Sequence, residues 1–590
     1  LRKDNPLNLG LLWTDLALTF PIVNKDDHAS FTRRYASEGI NFLTKELPKL
    51  GKDLDRMLIG GEPLNVTARF RKRKGTNVPE FLHDIFLHVV YKDGTMRPNP
   101  SPSHIKLLRQ LLLMYYKLET DYDKEVVKGF VSAFTELDSR ISDDPLGQTN
   151  QEVTILNKAR NILADLLIKE DPRFIRPCHG SGATACRTKN HDKYHSFRYI
   201  DRLNKVYPYE EYFFVNTAHF TDDFWKYWFS EDLSHPVSRL AAVPKDSRGP
   251  RLICMEPREM MYIQQGLMRW LYAHVEQHPL TAGWVNFTDQ FINRNLAREA
   301  SIHLEYATLD LKDASDRVRW DLVKAIFPPR WVDALEACRT EYVELPNGEV
   351  YGPLNKFASM GSAVCFPIEA LTFWALIKGG LNIDVYVYGD DLIVPTTAVE
   401  AVMSTLELFS LRVNADKSCY KTRFRESCGG DYYGGQDVGY VKVRHEVQRN
   451  VNSHLAAVDF CNEIIYHFGE KAALRLMARV DDYYGPHVRT LAQIPLSYRC
   501  CSGASNIAFF RRRWNKHLQK YEFNIPIVKT RTLSPRKDPQ HHWCELLRKL
   551  LKGDVRSRRL TETNLTEGQC AVGEYAEGHS TIKRTWRGDL

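Results

Sequence analysis

The sequence predicts an α+β protein built from several subdomains, and three observations carry this expectation. A chain of 590 residues is longer than one hydrophobic core serves. Apolar residues recur at helical spacing through roughly the first 175 residues and again beyond 445, whereas residues 306–444 alternate strand and helix signals. With 43% hydrophobic residues, 28 Tyr and 28 Phe, the chain has ample material for packed cores and is not a disordered polymer.

Taken in order, the segments "HIKLLRQLLLMYYKLE" and "KEVVKGFVSAFTELDSRI" read as helices, and "RPNPSPSH" (97–104) reads as a proline-rich turn. Residues 176–305 mix glycine-rich loops, basic residues and short apolar runs. Beyond 445, "SHLAAVDFCNEIIYHF" is helical, and the polar stretch "TETNLTEGQCAVGEYAEGHS" is expected to be loosely ordered. No internal repeat is visible.

The net charge of +8 is modest, but the positive residues clump in "RFRKRKG" (69–75), "RRRW" (511–514), "RSRR" (556–559) and "KRTWR" (583–587). Such runs serve either as solvated faces or as contacts for a phosphate backbone, and charge alone does not decide. The twelve cysteines form no repeated framework, so a reducing compartment is expected. The most apolar early stretch, "LGLLWTDLALTFPIV" (9–23), is broken by Asp15, and neither a signal peptide nor a membrane span is expected.

Chemistry concentrates in "NIDVYVYGDDLIVP" (382–395). Ile383, Val385 and Val387 alternate with polar or aromatic residues at a period of two, and Gly389 with Asp390 suits a tight hairpin turn. Asp390 and Asp391 are therefore expected at a hairpin tip, where their repulsion needs an explanation such as a bound divalent cation. A Gly-Asp-Asp triplet alone is weak, arising by chance in about one such chain in ten. Upstream, in "YATLDLKDASDRVRWDLVKAIF" (306–327), Ala307, Leu309 and Leu311 face a core and Asp310 projects from the opposite face near a strand end. Ser315 or Asp316 is expected to cap the following helix, on which Val318, Leu322 and Ile326 recur. If Asp310 meets Asp390 across adjacent strands, the pair suits two Mg²⁺ ions and in-line phosphoryl transfer.

Two further stretches fit that chemistry. In "SMGSAVCFPIEALTFWALIKGG", Gly361 allows close backbone approach, Ser359 or Ser362 offers a hydroxyl to a ribose, and an apolar helix is expected to stop at Gly379 and Gly380. In "AAVPKDSRGPRLICMEP" (241–257), Lys245, Arg248 and Arg251 offer fixed cations to a triphosphate, with a solvated basic loop as the alternative.

In this order the basic ribbon, the Asp310 strand, the Ser-Gly loop and the Gly-Asp-Asp hairpin resemble motifs F, A, B and C of viral RNA-dependent RNA polymerases. The stretches "ATLDLKDASD", "SMGSAVCFPIEAL", "VYVYGDDLIVP" and "FRESCGGDYYGGQDV" (424–438) with "VKVR" after it resemble the replicases of the single-stranded RNA bacteriophages, the leviviruses. The likeness runs from about 176 to 444, extends faintly into "IPIVKTRT" (525–532), and says little about residues 1–175.

The resemblance implies a right-hand polymerase: fingers over 176–305, a palm with an antiparallel sheet and flanking helices over 306–444 (330–357 partly fingers), a helical thumb with a tail over 445–590, and a bridging helical region over 1–175. It implies RNA-templated RNA synthesis from nucleoside triphosphates with two Mg²⁺ ions, for which Mn²⁺ can substitute. The metals would fall to Asp310, Asp390, Asp391 and the Leu311 carbonyl. Asp316, with Ser359 and Gly361 of motif B, would sense the ribose, and Lys245, Arg248 and Arg251 would hold the triphosphate. Lys417 in "LRVNADKS" matches the motif D general acid, with an ordinary exposed lysine as the alternative.

The implied partners are a single-stranded RNA template, nascent RNA, and host elongation factors Tu and Ts with a ribosomal RNA-binding protein. The implied location is the cytoplasm of a bacterial host. Many RNA polymerases carry Thr and Asn four and eight residues after the motif B glycine. Here Cys365 and Glu369 stand there; Glu369 fits the phage pattern, and the hydroxyl expected at Cys365 is missing.

A reverse transcriptase and a non-catalytic RNA-binding scaffold on the same fold remain open as rivals. Polar Asp316 speaks against the first and the retention of both Asp310 and Asp390 against the second. Cys178, His179, Cys186, His191 and His195 hold zinc-ligand types without a compact knuckle spacing, and the glycine-rich segment around them is expected to line the template path.

Overall fold

A computed structural model describes residues 9–119, 122–141, 143, 145–187, 193, 197–213, 235–445, 451–484, 512–517, 519–530 and 580–588. The chain divides into two compact units, Pro21–Arg444 and a second unit formed by Leu1–Phe20 with His445–Leu590. Mixed helices and sheets make this an α+β fold. Among the described residues no helix is long and apolar enough to cross a membrane.

Up to Leu167 the unit Pro21–Arg444 is mainly helical among the described residues, with irregular chain from 61 to 101 interrupted by the one-turn helix His83–Phe86. Its strands are β1 (Val237–Asp246), β2 (Gly249–Met255), β3 (Tyr306–Lys312), β4 (Tyr342–Glu344), β5 (Val350–Tyr351), β6 (Tyr386–Tyr388), β7 (Asp391–Pro395), β8 (Arg412–Val413), β9 (Phe424–Ser427), β10 (Gly430–Tyr433) and β11 (Gln436–Asp437). Four of them form an antiparallel sheet in the order β6-β7-β3-β8. Ala307, Leu309 and Leu311 of β3 and Leu392 and Val394 of β7 enter the main core, as the period of two requires. A second sheet, β2-β1-β4-β5, joins the β1–β2 hairpin to the short strands inserted at 342–351, with β1 and β4 parallel. A third, β11-β10-β9, is a small antiparallel meander.

The apolar helix Cys365–Leu381 is buried along most of its length. It does not stop at Gly379 and Gly380, as its sequence suggests, but runs to Leu381 and closes on Asn382 in the left-handed conformation. Both glycines serve close packing instead: a Cβ at Gly379 would sit 3.0 Å from the backbone nitrogen of Ala159, and one at Gly380 would sit 2.9 Å from the Thr405 methyl. The absence of a side chain lets the neighbouring helix Asn150–Leu167 lie against it.

The chain after β3 also departs from expectation. Asp316 lies within a one-turn helix, Ala314–Arg317, entered through Asp313 at a φ of 54°. Val318 is extended, and the next helix, Trp320–Ile326, starts after Arg319, so neither Ser315 nor Asp316 caps it. The break leaves Asp316 free of capping and available to other partners.

The second unit contains the helices Leu9–Ala17, Val451–Phe468 and Glu470–Tyr484, with Arg479 in an ion pair with Asp15 and the Phe20 ring edge-on to Phe468. It also carries an antiparallel sheet of β12 (Arg512–Asn515), β13 (Lys520–Thr530) and β14 (Ser580–Gly588). The basic run 556–559 and the polar stretch 561–579 lie outside the described residues.

Candidate active site

The site is built on the edge where β3 and β7 meet. The β6–β7 hairpin pairs Tyr388 with Asp391, which leaves Gly389 and Asp390 as a two-residue turn. Gly389 has a φ of 61°, and a Cβ there would fall on the Phe366 ring, so glycine is required on both grounds. Next door, β3 sets Asp310 directly opposite Asp391. Opposed residues of an antiparallel pair point to the same face, so Asp310 shares its face with Asp391 rather than meeting Asp390 across the strands as the sequence suggests, and like charges so placed cost stability when nothing compensates.

The electrostatics register that cost. Asp391 is pushed up to about 6, by burial first and the Asp390 charge second. Asp390 is open to solvent yet surrounded by protein, and desolvation followed by the Asp310 charge raises it as well. Asp310 instead is compensated: Lys417 Nζ donates to both its carboxylate oxygens at 3.0 and 3.1 Å, and Asn414 Nδ2 donates to Oδ2 at 3.0 Å. Burial opposes the charge on Lys417, but the Asp310 carboxylate outweighs it and holds the ammonium above its ordinary value. Leu311 sits in register with Val413 of β8.

Asp391 has a partner that no local pattern announces. The Cys428 backbone N–H, at the tip of the β9–β10 hairpin, donates to Asp391 Oδ2 at 2.9 Å. Cys428 and Gly429 take φ of 49° and 73°, which aims that N–H outward, and Arg294 Nε fixes the tip by donating to the Cys428 carbonyl at 2.8 Å. The motif "FRESCGGDYY" thus folds into a brace for the second aspartate.

Around this centre the other named residues divide. Arg251 lies within electrostatic reach of Asp390, and Lys245 lies within reach of Arg251 and Lys417. Arg248 does not present a free guanidinium: it grips Asp246 at 2.9 and 3.2 Å and lies 5.2 Å over the Tyr116 ring. The reason is local, since Asp246 precedes it by two residues in the β1–β2 turn.

Asp316 receives Lys356 Nζ at 2.9 Å. Lys356 is fully buried, with its ammonium 3.4 Å over the Phe134 ring, and sequence reasoning passed over it. Ser359 is buried and its hydroxyl makes no full hydrogen bond, whereas Ser362 Oγ is engaged by Gln264 at 3.2 Å. Gly361, at a φ of 120°, packs on β2: a Cβ there would collide with the Cys254 carbonyl oxygen, and Cys254 N–H donates to the Met360 carbonyl at 2.8 Å. Its role in the fold is this close approach. Glu369 is enclosed, with one carboxylate oxygen unpartnered, and burial followed by Asp390 and Asp316 pushes its carboxyl well up.

The zinc-type cluster is not assembled among the described residues. Cys186 Sγ accepts from Arg198 at 3.0 Å, the His179 ring packs against Phe197 and Tyr262, and His191 and His195 lie outside the described residues. Lys193 instead closes the glycine-rich loop by donating to the Gly180 carbonyl at 2.8 Å. No group of three or more His, Cys, Asp or Glu side chains among the described residues forms a ready cation cage.

Two acidic side chains on an antiparallel sheet and a third in the adjoining turn, with Lys417 and Arg251 nearby, group hard-oxygen donors with cations. The family model of the RNA replicase beta-chain matches residues 143–468, more than half of the chain, and the chain belongs to that family. It is 34% identical over 218 residues to the RNA-directed RNA polymerase subunit beta of Escherichia virus Qbeta, covering 36% of each chain. It is 32% identical over 201 residues to the RNA-directed RNA polymerase beta chain of Escherichia phage MS2, covering 33% of this chain and 36% of that one. The aligned part thus spans about a third of the length of these relatives. Among solved structures, the RNA-dependent RNA polymerase of a human picorbirnavirus superposes with a TM-score of 0.32 at 13% identity, covering 45% of this chain and 61% of that chain. A likeness at that level carries no argument about function.

Proposed function

We propose that the chain synthesises RNA on a single-stranded RNA template from nucleoside triphosphates, as the catalytic subunit of a phage replicase. The observation that carries this reading is the register of Asp310 opposite Asp391, with Asp390 in the adjoining turn and Lys417 and Arg251 within electrostatic reach. Family membership supports it, since the relatives are named RNA-directed RNA polymerases. In this reading the antiparallel sheet β6-β7-β3-β8 is a palm, the sheet around β1 and β2 belongs to fingers, and the helices beyond 445 form a thumb.

The donor set fits magnesium. All the candidate ligands are hard oxygens, and the carboxyls of Asp390 and Asp391 are raised by burial first and a neighbouring carboxylate second, a setting in which a divalent cation is favoured. Asp310, Asp390, Asp391 and the Leu311 carbonyl would hold two ions. Magnesium, when bound there, supplies Lewis-acid activation of the 3′-hydroxyl and neutralises charge on the leaving pyrophosphate. Lys245 and Arg251 would orient the triphosphate, while Arg248, tied to Asp246, would stiffen the turn that carries them. Asp316, steadied by Lys356, would accept a hydrogen bond from the ribose 2′-hydroxyl, with Ser359 beside it. Lys417, released from Asp310, would give its proton to the pyrophosphate oxygen as the bond to the α-phosphorus breaks.

Host elongation factors Tu and Ts, a ribosomal RNA-binding protein and the bacterial cytoplasm complete the proposal. The test is ribonucleotide incorporation on a defined template, with those partners supplied, by the wild-type chain and by Asp390→Ala. The variant should fold normally and incorporate nothing above background; undiminished incorporation would refute the site.

A further inference from the structure

A second group of cations lies where the chain leaving the helix Pro102–Leu113 runs beside residues 441–444. The Val443 N–H donates to the Met114 carbonyl at 2.8 Å and the Glu119 N–H to the Arg444 carbonyl at 2.7 Å. Gln110 holds Val441 at both backbone groups, at 3.1 and 2.8 Å. This pairing gathers Lys117, Lys442 and Arg444. The Lys442 ammonium lies 4.9 Å over the Tyr440 ring, and none of the three has a carboxylate at ion-pair distance among the described residues.

Two acids act on Lys117, Asp246 and Glu426. Asp246 belongs to Arg248. Glu426 is open to solvent yet surrounded by protein beside Asp431 and Arg109, and desolvation and then the Asp431 charge push it up to about 7, so it is a weak counter-ion at neutral pH. The cost is visible on Lys117: burial, then the Lys442 and Arg444 charges, push its ammonium down to about 8. Lys117 and Lys442 are half-buried and Arg444 is exposed, and like charges gathered with no paired acid repel one another until an anion arrives.

The same segment is tied to the rim of the candidate active site. Ser247 N–H donates to the Tyr116 carbonyl at 3.4 Å, Arg248 lies over the Tyr116 ring, and Lys245 N–H donates to Tyr122 Oη at 3.1 Å. The three cations are therefore next to the turn that carries Lys245 and Arg251. Half-burial of Lys117 suits a compact polyanion better than a strand lying across an open surface.

We propose that Lys117, Lys442 and Arg444 form an accessory phosphate site that takes the triphosphate of an incoming nucleotide before it reaches Arg251 and the carboxylates. The proposal rests on the polymerase reading for its role in a reaction, but not for its ligand chemistry. An RNA phosphodiester strand offers the same chemistry, and the experiment separates the two sources.

The full chain carrying Lys117→Gln, Lys442→Gln and Arg444→Gln together is compared with the wild type. Three quantities are measured: calorimetric binding of inorganic tripolyphosphate, RNA affinity across a salt series, and nucleotide KM and kcat in RNA synthesis. Expected are a tenfold or greater loss of tripolyphosphate affinity and a similar rise in KM for all four nucleotides, with kcat, RNA affinity and its salt slope unchanged. The double variant Lys442→Gln/Arg444→Gln, which leaves Lys117 in place, should move in the same direction and serves if the triple variant misfolds. RNA affinity falling, with a salt slope shallower by about 2, while tripolyphosphate binding holds, would overturn the nucleotide assignment in favour of an RNA strand. No change in either would overturn the phosphate site. Loss of tripolyphosphate binding in a protein whose wild type synthesises no RNA would keep the site and reject the polymerase reading.

Discussion

The pair Lys356–Asp316 makes a prediction in which two deletions of one ion pair differ sharply. Lys356 is fully buried, while the Asp316 side chain is 32% exposed. In Asp316→Ala the ammonium stays in the interior over the Phe134 ring, 3.4 Å away, without its carboxylate partner. Leaving a buried charge without its partner costs about 3–5 kcal/mol. In Lys356→Met the remaining carboxylate turns to water, the thioether fills a similar volume, and the desolvation cost of the lysine disappears. The loss of the cation–π contact, about 2 kcal/mol for a desolvated cation, is largely offset by that relief. The expected difference between the variants is therefore about 2–4 kcal/mol, with Asp316→Ala the less stable. Urea denaturation of the full chain, with both single variants and the double, measures it. The double variant should recover most of the stability lost in Asp316→Ala. Equal losses, or a larger loss in Lys356→Met, would show that the ammonium is not uncompensated and would sink the reasoning. Under the proposed function, both variants should also accept deoxyribonucleotides more readily than the wild type.

Gly361→Ala should lose about 1–3 kcal/mol to a backbone conformation reserved for glycine and about as much again to the collision with the Cys254 carbonyl; an unchanged urea midpoint with full synthesis would mean the loop is not pinned to β2. Magnesium should raise the melting temperature more at pH 7.5 than at pH 5. Asp390 and Asp391 have folded pKa values above the ordinary 3.8, Asp391 at about 6, so the folded state keeps their protons longer. Their contribution to stability is then most favourable below about pH 4 and falls as pH rises through about 6, where the charges appear that a cation relieves. Equal stabilisation at the two pH values would contradict this origin of the shifts. Lys417→Arg keeps a cation on Asp310 but yields its proton poorly, so kcat should drop tenfold or more with nucleotide KM nearly constant; full turnover in that variant would reduce Lys417 to a clamp.

What was legible in the sequence was what local chemistry dictates. The period of two around 383–394 and the Gly-Asp step gave the hairpin, and the alternation at Ala307, Leu309 and Leu311 gave the face on which Asp310 stands. The exact register of Asp310 against Asp391 is a property of the β3–β7 ladder and needed the fold. Lys356, Asn414 and the Cys428 N–H were missed for one shared reason: each acts on a residue between 37 and 104 positions away. Nothing in its own neighbourhood marks Lys356 as buried, because a lone lysine beside Asn and Phe reads as a solvated charge.

Gly379–Gly380 and Arg248 were misjudged for different reasons. A glycine pair at the end of an apolar run satisfies two demands, a helix stop and a close helix–helix approach, and only the neighbour decides which one operates; here Ala159 and Thr405 decide. Arg248 is a case where the signal was present. Asp246, two residues earlier in "PKDSRG", is near enough to take the guanidinium in the turn, and it does. Counting cations without their local acids overstates the charge a ligand will meet. Across the basic rim the same reasoning ties Arg248 to Asp246, leaves Arg251 within reach of Asp390, and draws attention to Lys117, Lys442 and Arg444, of whose three side chains none has a carboxylate at ion-pair distance among the described residues.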